Sequence, residues 1–487
     1  MWHPRGGRVK DMPLLPRRTI LTTAALSVAA CNLDRDKPGE DAPDGAAQVE
    51  LKNFGTAVLP LDAAPEQVSQ SILAAAPAVF VTTPSRVDEA AEAATSAGVP
   101  LLLEGSGLLA ELDRLGTRSV LTLDGDEPEV GDRELLKDPA KLDASAKPQS
   151  NAVAIHLADA EPDVATRAML SAAGIELHSV SHEDPRATSD SVAVVRDATS
   201  VLALGDFGDE ERFAGRVAMA QVASEIPGGG VAPYPDKLMV ALYGHPSGGT
   251  LGLLGEQGPA ESVDRVKELA AQYEPLTSKQ VVPAFEIITT VASASAGKDQ
   301  DYSYETPAEE LLPLIDAAEE AGIYCVLDLQ PGHTDFLTQA KLYEDLLLKP
   351  HVGLALDPEW RLKPGWRHMK QIGQVEIDEV NATGQWLADL VKDNDLPAKI
   401  LILHQFQTRM IVDRDQLDTS RDEIQYLVHV DGNGSHGAKL STWNTLKGVP
   451  EGAFLGWKNF IDEDSPMMTP QETMELVEPT PDFVSYQ

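Results

Sequence analysis

From Pro233 to Gln487 the chain keeps returning to one pattern, a short apolar run followed by an amphipathic stretch. Eight runs have the length and composition of buried strands: Leu238–Tyr243, Val281–Ile288, Ile323–Leu329, Val352–Leu356, Ile400–Leu403, Ile424–Val430, Ala453–Trp457 and Phe483–Tyr486. Ser262–Gln272, Pro307–Gly322, Phe336–Leu348 and Val380–Asn394 have helical periodicity and fall between them. Strands that are apolar on both sides belong to parallel sheets whose two faces are covered. Eight strand–helix units in about 250 residues match a (β/α)8 TIM-type barrel, and a strand at the extreme C-terminus is placed to close it against the first. An open doubly wound sheet accommodates the same alternation.

Residues 50–210 are also α/β but have a different rhythm. Ala78–Thr82, Val99–Leu103 and Val120–Leu123 read as strands, separated by helices over Ser85–Gly98 and Leu108–Gly116. A second set follows: Ala152–Leu157, Ile175–Val180 and Val201–Leu204, with helices over Glu161–Gly174 and Ala187–Ala198. Such alternation implies parallel strands with crossover helices. The shared order and spacing suggest an internal duplication, with residues 125–150 as a charged linker. The break at Ile226-Pro227-Gly228-Gly229-Gly230 divides a domain over 51–230 from one over 233–487.

The run Ala74–Val81, the Ala-rich helix, Gly98-Val99-Pro100-Leu101-Leu102-Leu103 and Leu115-Gly116 before Val120-Leu121 resemble the type 2 cell-wall-binding repeat over residues 55–125, and more weakly over 151–208. Leu123-Asp124-Gly125 and Leu204-Gly205-Asp206 depart from the family's closing motif. The resemblance implies non-covalent attachment to cell-wall polysaccharide. A generic flavodoxin-like duplicated region fits the same strands.

The first thirty residues differ from the rest. Arg5, Arg8, Lys10, Arg17 and Arg18 precede an uncharged, mostly apolar run from Thr19 to Ala30, too short for a permanent membrane span. It ends in Val28-Ala29-Ala30-Cys31, which resembles the bacterial lipobox. That implies a signal peptide over 1–30, lipidation of Cys31 and a membrane anchor on the extracytoplasmic face, since two acyl chains hold stably. Arg17-Arg18-Thr19-Ile20-Leu21 partly resembles a twin-arginine export signal, and Met12 offers a second start. Residues 31–50 have the Asp, Glu, Pro and Gly of a flexible tether. The other cysteine, Cys325, lies in an apolar run, so no disulfide is expected. A net charge of −38 excludes nucleic acid as a general partner, because that needs a basic footprint.

In a barrel of this kind the functional groups stand at the C-terminal ends of the strands, and polar residues gather there: Tyr243, His245, Glu286, Asp328, Gln330, Asp357, Glu359, His404, Gln405, His429, Asp431, Lys458, Asn459, Tyr486 and Gln487. Asp357-Pro358-Glu359-Trp360 is the sharpest cluster. If the strand continues through it, Asp357 and Glu359 share a face, and their repulsion raises the proton affinity of one, as a general acid requires. The cluster resembles the end of strand four in glycoside hydrolases built on TIM barrels. The longer acidic signature of the chitinase-like members is missing, since Gly353-Leu354-Ala355-Leu356 holds no Asp, so only the position carries over.

These readings give Glu359 and Asp357 as the catalytic pair, with Glu286 and Asp328 orienting substrate or tuning them. Tyr243, His245, Trp360, His404, Gln405, Asp431, Trp457, Lys458 and Tyr486 are the substrate-binding candidates, and Trp366 is a further sugar platform. Quieter roles remain open: Asp357 as a cap, Glu286 paired with Lys458, His404 and His429 as structural histidines. Pro246–Gly252 lacks the lysine of a phosphate loop and the spacing of a dinucleotide fingerprint, so no cofactor is expected. His245, Asp328, Asp357 and His404 form a metal alternative without supporting spacing, and no metal is expected either. The leading expectation is an envelope lipoprotein acting on or binding wall glycan. A non-enzymatic wall-polymer- or protein-binding lipoprotein and a metal-dependent hydrolase are the alternatives.

Overall fold

The computed structural model describes residues 49–142 and 150–487. The leader, Cys31, the tether through residue 48 and residues 143–149 of the linker lie outside the described residues. All eight apolar runs of the C-terminal half are strands: Lys237–Gly244, Gln280–Ala292, Tyr324–Leu329, Val352–Leu356, Lys399–Gln405, Ile424–Val430, Phe454–Asn459 and Phe483–Tyr486. Each pairs in parallel with the next. The eighth pairs with the first, from Met239 opposite Phe483 to Leu242 opposite Tyr486. The ring is closed, which excludes the open sheet.

Alternation along each strand sorts the side chains. Leu238, Val240, Leu242, Phe285, Ile287, Leu401, Leu403, Trp457, Val484 and Tyr486 face outward into the layer shared with the helices. Met239, Ala241, Val282, Ala284, Tyr324, Val326, Ala355, Ile400, Ile402, Leu427 and Phe483 face inward and fill the barrel. The helices between strands include Pro259–Ala270, Ala308–Ala321 and Ile377–Asp393. The expected helix over 336–348 is two pieces, Phe336–Leu342 and Glu344–Leu347, the first capped by the Asp335 carboxylate on the Thr338 N–H. Cys325 is buried in the third strand without a disulfide partner.

The N-terminal half holds two separate four-stranded parallel sheets. One runs Leu101–Leu103, Ala78–Thr82, Ser119–Leu121, Glu134–Leu136; the other runs Thr56–Leu59, Ser200–Leu204, Ala152–Leu157, Glu176–Val180. The helices Val87–Ala97 and Val164–Ala172 pack against each other.

This half docks on the floor of the barrel, at the N-terminal ends of its strands. Ile226 and Tyr234, from the connecting segment, insert into the interior cluster and plug it from below. The Val231 carbonyl accepts from the Ala398 N–H, and the Tyr234 N–H donates to Gln425 Oε1. Gly228, Gly229 and Gly230 all have positive φ. At Gly230 a Cβ would lie 2.5 Å from the Ala187 carbonyl oxygen, so only glycine allows this approach. Arg186, buried beside this turn, pairs with Asp184 at 2.8 Å and donates to the Asp422 carbonyl across the junction. Arg212 and Arg216 reach the Asp422 carboxylate at 2.8 and 3.0 Å. The described residues from 49 to 487 thus form one compact unit.

Candidate functional site

With the floor covered, the barrel opens only at the C-terminal ends of its strands. The inward parity that fills the lower barrel with apolar side chains places Tyr243, Glu286, Asp328, Asp357, His404, His429, Asp431, Lys458 and Ser485 at the top. A pocket of about 250 Å³ opens above them, lined by Tyr243, Gln330, Asp357, Glu359, Trp360, Phe406, Asp431, Gly432, Asn433, Lys458, Phe460 and Gln487.

The Asp357–Trp360 cluster does not continue the strand. Pro358–Trp360 is a single 3₁₀ turn, and the Asp357 carboxylate accepts from the Glu359 N–H at 3.3 Å. Proline supplies the turn's first residue, where its missing N–H costs nothing. Asp357 is therefore a cap as well as a pocket residue, and the two acids meet in the pocket through a turn rather than along a strand face. The Trp360 ring lies parallel to His368 at 4.6 Å between centroids.

Burial governs the protonation of both acids. It raises Glu359 to about 7, helped by Asp431 and opposed by Lys458 and His404. Burial and the neighbouring Asp328 push Asp357 well above the usual carboxylate range. Asp328 is raised to about 6 by burial, with Glu286 raising it further and His404 and the Tyr243 hydroxyl opposing. The Tyr243 hydroxyl donates to Asp328 Oδ2 at 2.8 Å, and the Lys458 ammonium stands 3.4 Å from the centre of the Tyr243 ring.

Beneath the pocket lies a fully buried group. His404 Nε2 is 2.9 Å from Glu286 Oε1 and 3.8 Å from Asp328 Oδ1, and His429 Nδ1 is 3.5 Å from the same Glu286 oxygen. His404 Nδ1 contacts Asp431 Oδ2 at 3.1 Å, and His429 Nε2 contacts the Ser485 hydroxyl at 3.2 Å. Burial favours a neutral Glu286, but His429 and His404 outweigh it and hold the carboxyl well below the usual range. Burial likewise lowers His404, but Glu286 and the bond to Asp431 outweigh it and leave the ring well above the usual histidine range. Glu286 therefore pairs with the two histidines and not with Lys458. Ligating atoms of Glu286, His404 and His429 all lie within 4.8 Å of one another, as do those of Asp299, Asp301 and Glu305 near the rim.

The structure takes four of the expected substrate-binding residues elsewhere. His245 bends away from the pocket, with Nδ1 on Ser247 and Nε2 on Thr306. Gln405 points outward, donating to the Gln407 and Thr408 carbonyls and accepting from Arg414, beside a separate depression of about 420 Å³. Trp457 packs edge-on against Trp443 in the helix layer, with its N–H on Asn459. The Tyr486 hydroxyl meets that of Tyr273 at 2.6 Å in the same layer. Gln405, Trp457 and Tyr486 have the outward parity of their strands, a signal present in the sequence. His404 lies below the pocket rather than lining it. Phe406, Phe460, Gly432 and Asn433 line it without having been singled out as candidates, because they stand on loops beyond the strand ends.

No helix among the described residues is long and apolar enough to cross a membrane. No protein-family model matches the chain, and no curated protein matches its sequence.

Proposed function

We propose that this chain is an envelope lipoprotein, anchored through Cys31, whose TIM-type barrel hydrolyses glycosidic bonds in cell-wall polysaccharide with Glu359 as general acid/base. The observation that carries the reading is the pocket at the C-terminal ends of the strands. There Glu359, Asp357 and Asp431 converge beside the Trp360, Phe406 and Phe460 rings and the Lys458 ammonium. Acids to move protons and aromatic faces to stack on sugar rings are what glycoside hydrolysis needs. Asp357, buried and hydrogen-bonded to the turn that carries Glu359, holds that turn in place.

The N-terminal half supplies the wall-directed part. Both of its sheets place the second, first and third strands of their set side by side in that order. This common order supports a duplication of the flavodoxin-like, wall-binding-repeat kind. The leader and lipobox residues support export and anchoring, and the partner is then the wall polymer outside the membrane.

The test is incubation of the full chain with purified wall fractions, scoring reducing sugar released and protein co-sedimented. Glu359→Gln keeps the shape and removes the titratable proton, so turnover is expected to fall about 10²–10⁴-fold with co-sedimentation unchanged. Wild-type turnover in that variant removes the assignment. Co-sedimentation without any release by the native chain replaces the hydrolase with a glycan-binding protein.

A further inference from the structure

We propose that Glu286, His404 and His429 form a binding site for one divalent transition-metal ion of the zinc class, inside the barrel and directly beneath the pocket. The ligand atoms of this site are not those of the glycan reading, and Asp431 alone touches both, lining the pocket and holding His404.

The first argument is the unmet demand of buried polar atoms. Both Glu286 carboxylate oxygens, His404 Nε2, His429 Nδ1 and Asp328 Oδ1 are buried and make no hydrogen bond. His404 Nε2 and Glu286 Oε1 are only 2.9 Å apart, yet they are not aligned for one. Buried polar atoms in native proteins are nearly always partnered, so a group of five orphans needs an explanation. The orphans converge on one another, as the ligands of a single cation do.

The second argument is spacing. Nitrogen and carboxylate ligands at about 2.0–2.2 Å from a tetrahedral ion stand about 3.3 Å from each other. The Glu286–His404 and Glu286–His429 separations, 2.9 and 3.5 Å, fall on either side of that value. Asp328 Oδ1, 3.8 Å from His404 Nε2, is a further buried oxygen beside the group. Two imidazoles with carboxylates suit zinc, cobalt, nickel or iron rather than calcium or magnesium.

The third argument is the surrounding support. Metal-bound histidines hold their other nitrogen on a carboxylate, carbonyl or hydroxyl, which fixes the ring. His404 does this through Nδ1 on Asp431, and His429 through Nε2 on Ser485. His404 and His429 are register partners on adjacent strands, so the sheet presents the two rings side by side. Gly456, next to His429, leaves the room its ring occupies: a Cβ there would lie 3.0 Å from His429 Cδ2. An imidazolium held between Glu286 and Asp431 is the competing account. It explains His404 but leaves the second Glu286 oxygen and His429 Nδ1 without partners.

The full chain, stripped by chelator and titrated with Co²⁺, is expected to develop the visible absorption of a four-coordinate N/O site, saturating at one equivalent and bleached by added Zn²⁺. His429→Ala is expected to abolish that absorption. Asp431→Asn, which removes the carboxylate charge beside His404 Nδ1 and also a pocket-lining acid, is expected to weaken Co²⁺ binding about 10–100-fold while leaving the circular dichroism of the fold unchanged. Asp299→Asn, in the separate acidic group near the rim, is expected to change nothing. Failure of the wild type to take up Co²⁺ overturns the site whatever the variants do. Absorption that survives unweakened in Asp431→Asn and His429→Ala, or is lost in Asp299→Asn, also overturns it.

Discussion

Glu359 owes its proton to its neighbours. Burial and the Asp431 carboxylate raise it to about 7, while the Lys458 ammonium and His404 pull the other way. A general acid works only while protonated, so turnover is expected to fall as pH rises through about 7. Replacing the opposing cation moves this limb: Lys458→Met is expected to shift it to higher pH, because Glu359 then keeps its proton longer. A pH–rate profile of the variant checks this, and a limb that stays put or moves to lower pH rules the acid role out. At this scale the sequence was informative where parity was the deciding rule. Glu286, Asp328, His404 and Lys458 stand two, four or six residues from buried interior positions on their own strands, so their inward direction was legible. What was not legible was depth. The step from lining the pocket to lying beneath it depends on how strands are staggered around the ring, which no single strand reveals. The joining of His429 to His404 and Glu286 is of that kind, since three separate strands supply the atoms.

At the scale of elements, all eight barrel strands were legible in existence and order, because buried parallel strands leave uninterrupted apolar runs, although the second continues to Ala292, beyond its expected end at Ile288. The end of the fourth strand was misread for a local reason. Asp357 and Glu359 have strand spacing, but Pro358 suits the first residue of a turn, and the Asp357 carboxylate closes that turn on the Glu359 N–H. The glycine run after Ile226 read as a boundary, and its function is steric. Gly230 combines φ +69° with carbonyl oxygens of Arg186 and Ala187 less than 3 Å from a hypothetical Cβ. Gly230→Ala is expected to cost about 1–3 kcal/mol, as overpacking against unyielding backbone does. Urea denaturation measures it; an unchanged midpoint means the turn relaxes at no cost.

For the whole molecule, two architectures were legible in the sequence, but not how they join. The join depends on charges far apart in the chain: Asp184, Arg186, Arg212 and Arg216 on one side, Asp422 on the other. Arg186 is 1% exposed, so its loss leaves Asp184 buried with only Arg216, 3.6 Å away. Removing one partner of a buried pair costs about 3–5 kcal/mol, and Arg186→Ala is expected at the lower end because Arg216 remains. The same variant is expected to keep its pocket chemistry below the unfolding temperature, since the junction lies at the opposite end of the barrel. Loss of activity in the still-folded variant contradicts this separation of floor and mouth.

The plug formed by Ile226 and Tyr234 also bears on how any molecule reaches the pocket. Closed below and packed through its interior, the barrel is a blind cup with about 250 Å³ of room at the top. No passage leads through the floor, so anything that reaches the acids comes through the mouth. Whatever leaves goes out by the way it entered, and an incoming and an outgoing molecule share one opening.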